Sequence, residues 1–136
     1  MKICCIAGID EADLAVAAGA SALGLVSWMP SGPGVVPDDT IAAVARHAPP
    51  AVATFLLTSR QDVASIAAQQ RATGTSTVQL VDELVMGTHV ELRAALPGIK
   101  LVQVVHVTGP DAVEDALDLA PEVDALCSTP VTLAWR

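Results

Sequence analysis

The sequence predicts an α/β fold built on a parallel sheet, and three observations lead there. Six short runs are almost continuously apolar, as parallel strands buried on both faces must be. Ala-rich stretches with apolar residues recurring near every 3.6 positions lie between them. Helix, glycine and strand also follow one another three times, in AAGASALGLV, RATGTSTVQLV and LPGIKLVQVV. Alternation of this kind builds right-handed βαβ units.

In chain order, the first predicted strand is KICCIA, Lys2 to Ala7, followed by a helix from Glu11 to Ala18. Gly19 stands where a left-handed helix cap is common. The second strand runs from Ala22 to Trp28 and leads into the loop PSGPG, Pro30 to Gly34. Asp38 and Asp39 follow Pro37 and open a helix to His47, placing carboxylates where the helix dipole favours them. The third strand spans Ala51 to Leu57. Ser59 before Arg60-Gln61-Asp62 reads as a capping box, with Asp in place of Glu, for a helix from Arg60 to Ala72. Gly74 closes that helix, and the fourth strand covers Ser76 to Val81. A helix from Thr88 to Leu96 ends at Gly98, before the fifth strand, Lys100 to Val107. Pro110 opens a helix to Leu119, and the sixth strand is VDALCS, Val123 to Ser128. Strand starts lie ~20–29 residues apart, which suits two architectures, an open doubly wound sheet or a (βα)8 barrel. A barrel takes about 250 residues and at least about 200, so six strands do not close one.

The 136 residues amount to one domain, 1–136. Only 2% are aromatic while 52% are hydrophobic, so the core is made of Ala, Val, Leu and Ile. Mean hydropathy is +0.53, yet no apolar stretch reaches the ~20 residues of a membrane helix. The first apolar run soon meets Asp10, Glu11 and Asp13, unlike a signal peptide. A cytoplasmic protein with no membrane partner is expected. The net charge of −8 argues against nucleic acid, which demands a basic face. The three cysteines, Cys4, Cys5 and Cys127, are odd in number and lack C-x2-C spacing. Free thiols are expected, with no metal and no cofactor.

Lys2, Ile3, Cys4, Ile6, Gly19, Ala20, Ala22, Leu23 and Gly24 form an ungapped pattern that resembles the start of phosphoribosylanthranilate isomerases, (βα)8-barrel enzymes of tryptophan biosynthesis. The resemblance continues through Gln79-Leu80, RAALPGIKLVQVVHV and VDALCS. It implies a partial TIM barrel of (βα)5β6 type. The family performs an Amadori rearrangement, which needs a base at the sugar carbon beside the imine and an acid at the ring oxygen. By resemblance Cys4 is the base, and the strand-six acid falls on Thr129. The loop after strand two matches at Ser31 and Val35, but its substrate-clamping arginine is Pro33. Gln79 matches, whereas the strand-four His-Gly is Val81-Asp82. Cys5 stands where the family has Gly, and Gly8 where it has Asn. The phosphate loops after strands seven and eight have no counterpart before Arg136, and VTLAWR reads as a remnant of the segment after strand six.

The expectation is therefore an isomerase-like barrel fragment, inactive or very weak. Two alternatives stand beside it. One is an active isomerase of a phosphorylated aminosugar assembled across an oligomer, with Cys4 as base and Asp82 or His106 as acid. The other is a non-catalytic self-association module. Missing strands leave sticky edges, so a homodimer or higher homo-oligomer is expected. Each candidate also has a plain reading. Cys4, Cys5 and Cys127 can be small buried packing residues, and His106 a hydrogen-bonded strand end. Asp82 and Glu83 can be the acidic first turn of a helix, PSGPG a plain loop, and Trp28 and Trp135 covers for the sheet. His47 and His89 are read as helix-surface residues.

Overall fold

Six parallel strands lie side by side in chain order, each paired with the one before it. They are β1 (Lys2–Ile3), β2 (Ala22–Val26), β3 (Ala53–Thr58), β4 (Thr77–Leu80), β5 (Lys100–Val107) and β6 (Ala125–Pro130). Between them run α1 (Ile9–Ala17), α2 (Asp38–His47), α3 (Val63–Thr73), α4 (His89–Ala95) and α5 (Ala112–Leu119), and a 3-10 turn, Ala120–Glu122, precedes β6. These positions come from a computed structural model that describes residues 1–30 and 33–130. Ser31, Gly32 and the VTLAWR segment with Trp135 lie outside the described residues.

Sequential order decides between the two predicted architectures. A doubly wound sheet reverses its strand order and carries helices on both faces. Here the order never reverses, so the helices share one face and the sheet curves into a half-barrel. Leu23, Leu25, Leu56, Val78, Leu80 and Leu101 point outward and meet Ile41, Val44, Ile66 and Leu92 of the helices in one core. All of these are completely buried. Among the described residues β1 and β6 each pair on one side only.

Several expected boundaries move for local reasons. β1 stops at Ile3 because Cys5 takes a φ of 59°, in the left-handed region, which breaks the extended ladder. The cap of α3 is Asp62, not Ser59: the Asp62 carboxylate accepts from the Ser65 amide at 2.8 Å. Ser59 instead donates to the Trp28 carbonyl, because β3 runs on to Thr58 and leaves Ser59 outside the helix. Pro110 lies one residue before the N-cap Asp111 rather than inside the first turn. Thr88 and Glu91 form a reciprocal capping box on α4, so the helix starts at His89. Gly74 caps α3 with a φ of 71°, as the sequence indicates. Among the described residues no helix is long and apolar enough to cross a membrane.

Candidate active site

Side chains alternate along each strand, so the ladder register assigns the concave inner face. Lys2 pairs with Ala22, Gly24 with Phe55 and Leu57 with Gln79; on the other side Val104 pairs with Cys127 and His106 with Thr129. Cys4, two residues after Lys2, falls on the same face beside Gly24. Cys4, Gln79, His106 and Thr129 therefore share one surface. Asp82 follows β4 by two residues, in the loop before α4. It is not the first turn of a helix, because the Thr88 cap delays α4 until His89. Ser31 lies outside the described residues.

Cys4 is exposed, so it is not a buried packing residue. It approaches β2 closely: a Cβ built on Gly24 would stand 2.7 Å from Cys4 Sγ and 3.0 Å from its Cα. The glycine is what admits the thiol. Cys5 and Cys127 are half-buried rather than core. Cys5 keeps a backbone suited to glycine although it carries a side chain, and its thiol points at the Pro33 carbonyl, 3.8 Å away. Burial pushes the Cys5 thiol pKa up, the neighbouring Cys4 charge and a Cys4 thiol hydrogen bond push the same way, and Lys2 pulls it down.

His106 Nε2 lies 2.8 Å from the Val81 carbonyl, which only accepts, so that nitrogen carries a hydrogen. In the neutral ring Nδ1 then accepts from the Thr129 hydroxyl at 3.3 Å. The structure thus brings His106 and Thr129 together at the carboxyl ends of β5 and β6. Gln79 is already engaged: Lys2 Nζ donates to its Oε1 at 2.6 Å and sits 4.6 Å from the centre of the Phe55 ring. Among the described residues the Asp82 side chain joins none of these hydrogen bonds; only its carbonyl does, accepting from Gln103.

Sequence reasoning missed two groups. Lys2 was legible from alternation, since it shares a face with Cys4. The second group lies behind the sheet. Gln103 points outward from the middle of the apolar fifth strand and donates to the carbonyls of Leu80, Asp82 and Val104. Its Oε1 faces His89 Nε2 at 2.9 Å, and His89 Nδ1 faces Glu122 at 3.2 Å. His89 is buried, not a surface residue, because it fills the space between α4 and β5. His47 is a surface residue, paired with Asp13 at 2.7 Å. A single Gln inside VQVVHV was the available signal.

Two grooves of about 530 Å³ are lined by neither Cys4 nor His106. One lies between α1 and α2, rimmed by Asp10, Glu11 and Asp39. The other lies under Trp28, with Asp38, Ser59 and Arg60. Trp28 is largely exposed and does not cover the sheet, because it follows β2 beyond its last ladder pair. Among the described residues no cluster of three or more His, Cys, Asp or Glu could hold a metal ion.

No protein-family model matches the chain. N-(5'-phosphoribosyl)anthranilate isomerase 2 of Methanosarcina mazei is 29% identical over 135 residues, covering 98% of this chain and 60% of that protein. Phosphoribosyl anthranilate isomerase of Thermotoga maritima superposes with a TM-score of 0.79 at 22% identity, over 98% of this chain and 62% of that one. A structure of monomers generated from the dimeric Thermotoga maritima enzyme gives 0.76 at 20% identity, over 93% of this chain and 62% of that one. The chain spans about 60% of the length of each of these relatives. The resemblance carried by Lys2, Cys4 and the Gly-Ala-Ser-Ala-Leu-Gly run is therefore borne out: over nearly its whole length the chain is similar to phosphoribosylanthranilate isomerases, in sequence to the Methanosarcina mazei protein and in fold to the Thermotoga maritima enzyme.

Proposed function

We propose that the chain is a phosphoribosylanthranilate isomerase-like half-barrel of the cytoplasm that keeps the base position at Cys4 and lacks a competent acid, leaving it inactive or very weak as an isomerase. The observation that carries this reading is the Thr129 hydroxyl, hydrogen-bonded to His106 where the resemblance puts the acid. A hydroxyl does not protonate a sugar oxygen near neutral pH, and loss of a positioned acid costs roughly 10²–10⁴ in rate. Pro33 at the clamp position supplies no charge for a carboxylate. The test is a phosphoribosylanthranilate isomerase assay on the purified chain beside Cys4→Ala and Thr129→Asp. Turnover no higher than in Cys4→Ala is expected, with a gain in Thr129→Asp. Turnover in the unaltered chain that Cys4→Ala abolishes refutes the proposal.

One observation favours a second reading. His106 shares the concave face with Cys4 and has both ring nitrogens positioned, so it is the group that would act as acid on a phosphorylated aminosugar if a second copy completes the site. That reading needs His106→Ala to abolish turnover. Self-association is part of both readings. Val113 and Leu117, one turn apart on α5, are exposed, as is Val107 at the end of β5. Light scattering is expected to give a dimer or larger, and a monodisperse monomer argues against it.

A further inference from the structure

We infer that Cys4 and Cys5 form a vicinal dithiol that a hydroperoxide closes to an intramolecular disulfide, reversibly taking the Cys4 thiol out of use. Extended backbone sends successive side chains to opposite faces. The φ of 59° at Cys5 breaks that alternation, so the Cys5 side chain is not sent to the face opposite Cys4. Each also sits against a glycine: Cys4 against Gly24 on β2, Cys5 against Gly34, where an added Cβ would lie 2.6 Å from Cys5 Cβ. The two sulfurs fill the space that a Cβ on either glycine would take. Cys4 is exposed to solvent and Cys5 is half-buried, so a peroxide meets the Cys4 thiol first. Cys127 lies on β6, at the other edge of the sheet.

The chemistry follows in two steps. Cys4 sulfur attacks one peroxide oxygen; the O–O bond breaks, Cys4 becomes a sulfenic acid, and the other oxygen leaves as an alcohol or water with the thiol proton. Cys5 sulfur then attacks the Cys4 sulfur; the S–S bond forms, the S–O bond breaks, and water leaves with the Cys5 proton. Two thiols are oxidised and one peroxide is reduced. Adjacent Cα atoms stand ~3.8 Å apart across a trans peptide, below the ~4.4–6.8 Å usual for a disulfide. The product is therefore strained and easily reduced, as regulatory disulfides are. Its effect on catalysis rests on the reading of Cys4 as base; the thiol chemistry does not.

The test treats the reduced chain with hydrogen peroxide, alkylates with iodoacetamide and analyses the tryptic peptide from Ile3 to Arg46 by mass spectrometry. The expected peptide is two hydrogens lighter and unalkylated, regains both alkylation sites after dithiothreitol, and leaves Cys127 alkylated. In Cys5→Gly, which suits the left-handed backbone, Cys4 is expected to accumulate as a sulfenic acid trapped by dimedone. A wild-type peptide with Cys4 over-oxidised and Cys5 still alkylatable overturns the inference, as does Cys4 linked to Cys127 or to a second chain. Because the readout is mass, the outcome is independent of whether the chain turns over any substrate.

Discussion

Replacing Gly24 by alanine tests whether the close approach of β1 to β2 is what positions the Cys4 thiol. The added Cβ would stand 2.7 Å from Cys4 Sγ, 3.0 Å from its Cα and 3.2 Å from its Cβ, against the ~3.5–4.0 Å of relaxed contact. The sulfur can swing away by a χ1 rotation. The Cα cannot, so the backbone of β1 must move. β1 is held by a two-residue ladder plus the Ile6–Gly24 and Ser21–Met1 backbone hydrogen bonds, and it yields before the central strands do. Overpacking of this kind costs about 1–3 kcal/mol, which for a chain of this length lowers Tm by roughly 4–10 °C. Thermal unfolding followed by circular dichroism reads the loss, and the rate of Cys4 alkylation reads the displacement. Gly98→Ala is the control, since nothing stands within 4 Å of its added Cβ and its φ of 83° brings backbone strain alone. If Gly24→Ala keeps both the wild-type Tm and the wild-type Cys4 alkylation rate, the glycine is not what admits the thiol.

Three further outcomes are expected. Asp124 accepts from the Leu101 amide at 2.8 Å, and this bond, opposed by slight burial and helped by Arg93, holds its carboxyl below the usual range. A lowered folded pKa stabilises above the unfolded value of about 3.9 and loses that contribution as pH falls through the folded value. Asp124→Asn is therefore expected to cost about 1 kcal/mol at pH 7, modest because water screens the site, with the difference vanishing in acid; urea unfolding across pH checks it, and a pH-independent difference refutes it. Gln103→Leu is expected to destabilise by roughly 2–3 kcal/mol, because buried carbonyls at the end of β4 and His89 lose their partner; an unchanged urea midpoint counts against the network. Thr88→Ala is expected to cost about 1 kcal/mol through the lost α4 cap, seen as faster amide exchange in the first turn of that helix, and unaltered exchange there would contradict it.

The contrast between α2 and α3 shows how much of the fold was legible locally. Asp38 and Asp39 after Pro37 mark the start of α2 at Asp38 because the pull of the helix dipole on first-turn carboxylates acts within one turn of chain. Ser59 carried the same kind of signal and misled, because β3 pairs with β4 as far as Thr58 and draws Ser59 out of the helix. Gln103 stood out as a polar residue in an apolar strand, but its partners and the burial of His89 were not readable for the same reason: they come from strands and helices brought together from distant parts of the chain. In the site, Cys4 was legible through its neighbours in sequence, but the pairing of His106 with Thr129 needed the β5–β6 register.

The alternation of strands and helices, their number and near boundaries, and the acidic, aromatic-poor character of the molecule were readable from the chain, because periodicity and capping act over a few residues. Tertiary structure alone decided that the strands stack in chain order, that Cys5 turns left-handed, and which side chains share the concave face. Those outcomes depend on hydrogen bonds between strands whose starts lie some twenty or more residues apart, and short-range pattern carries no information about which edges will meet.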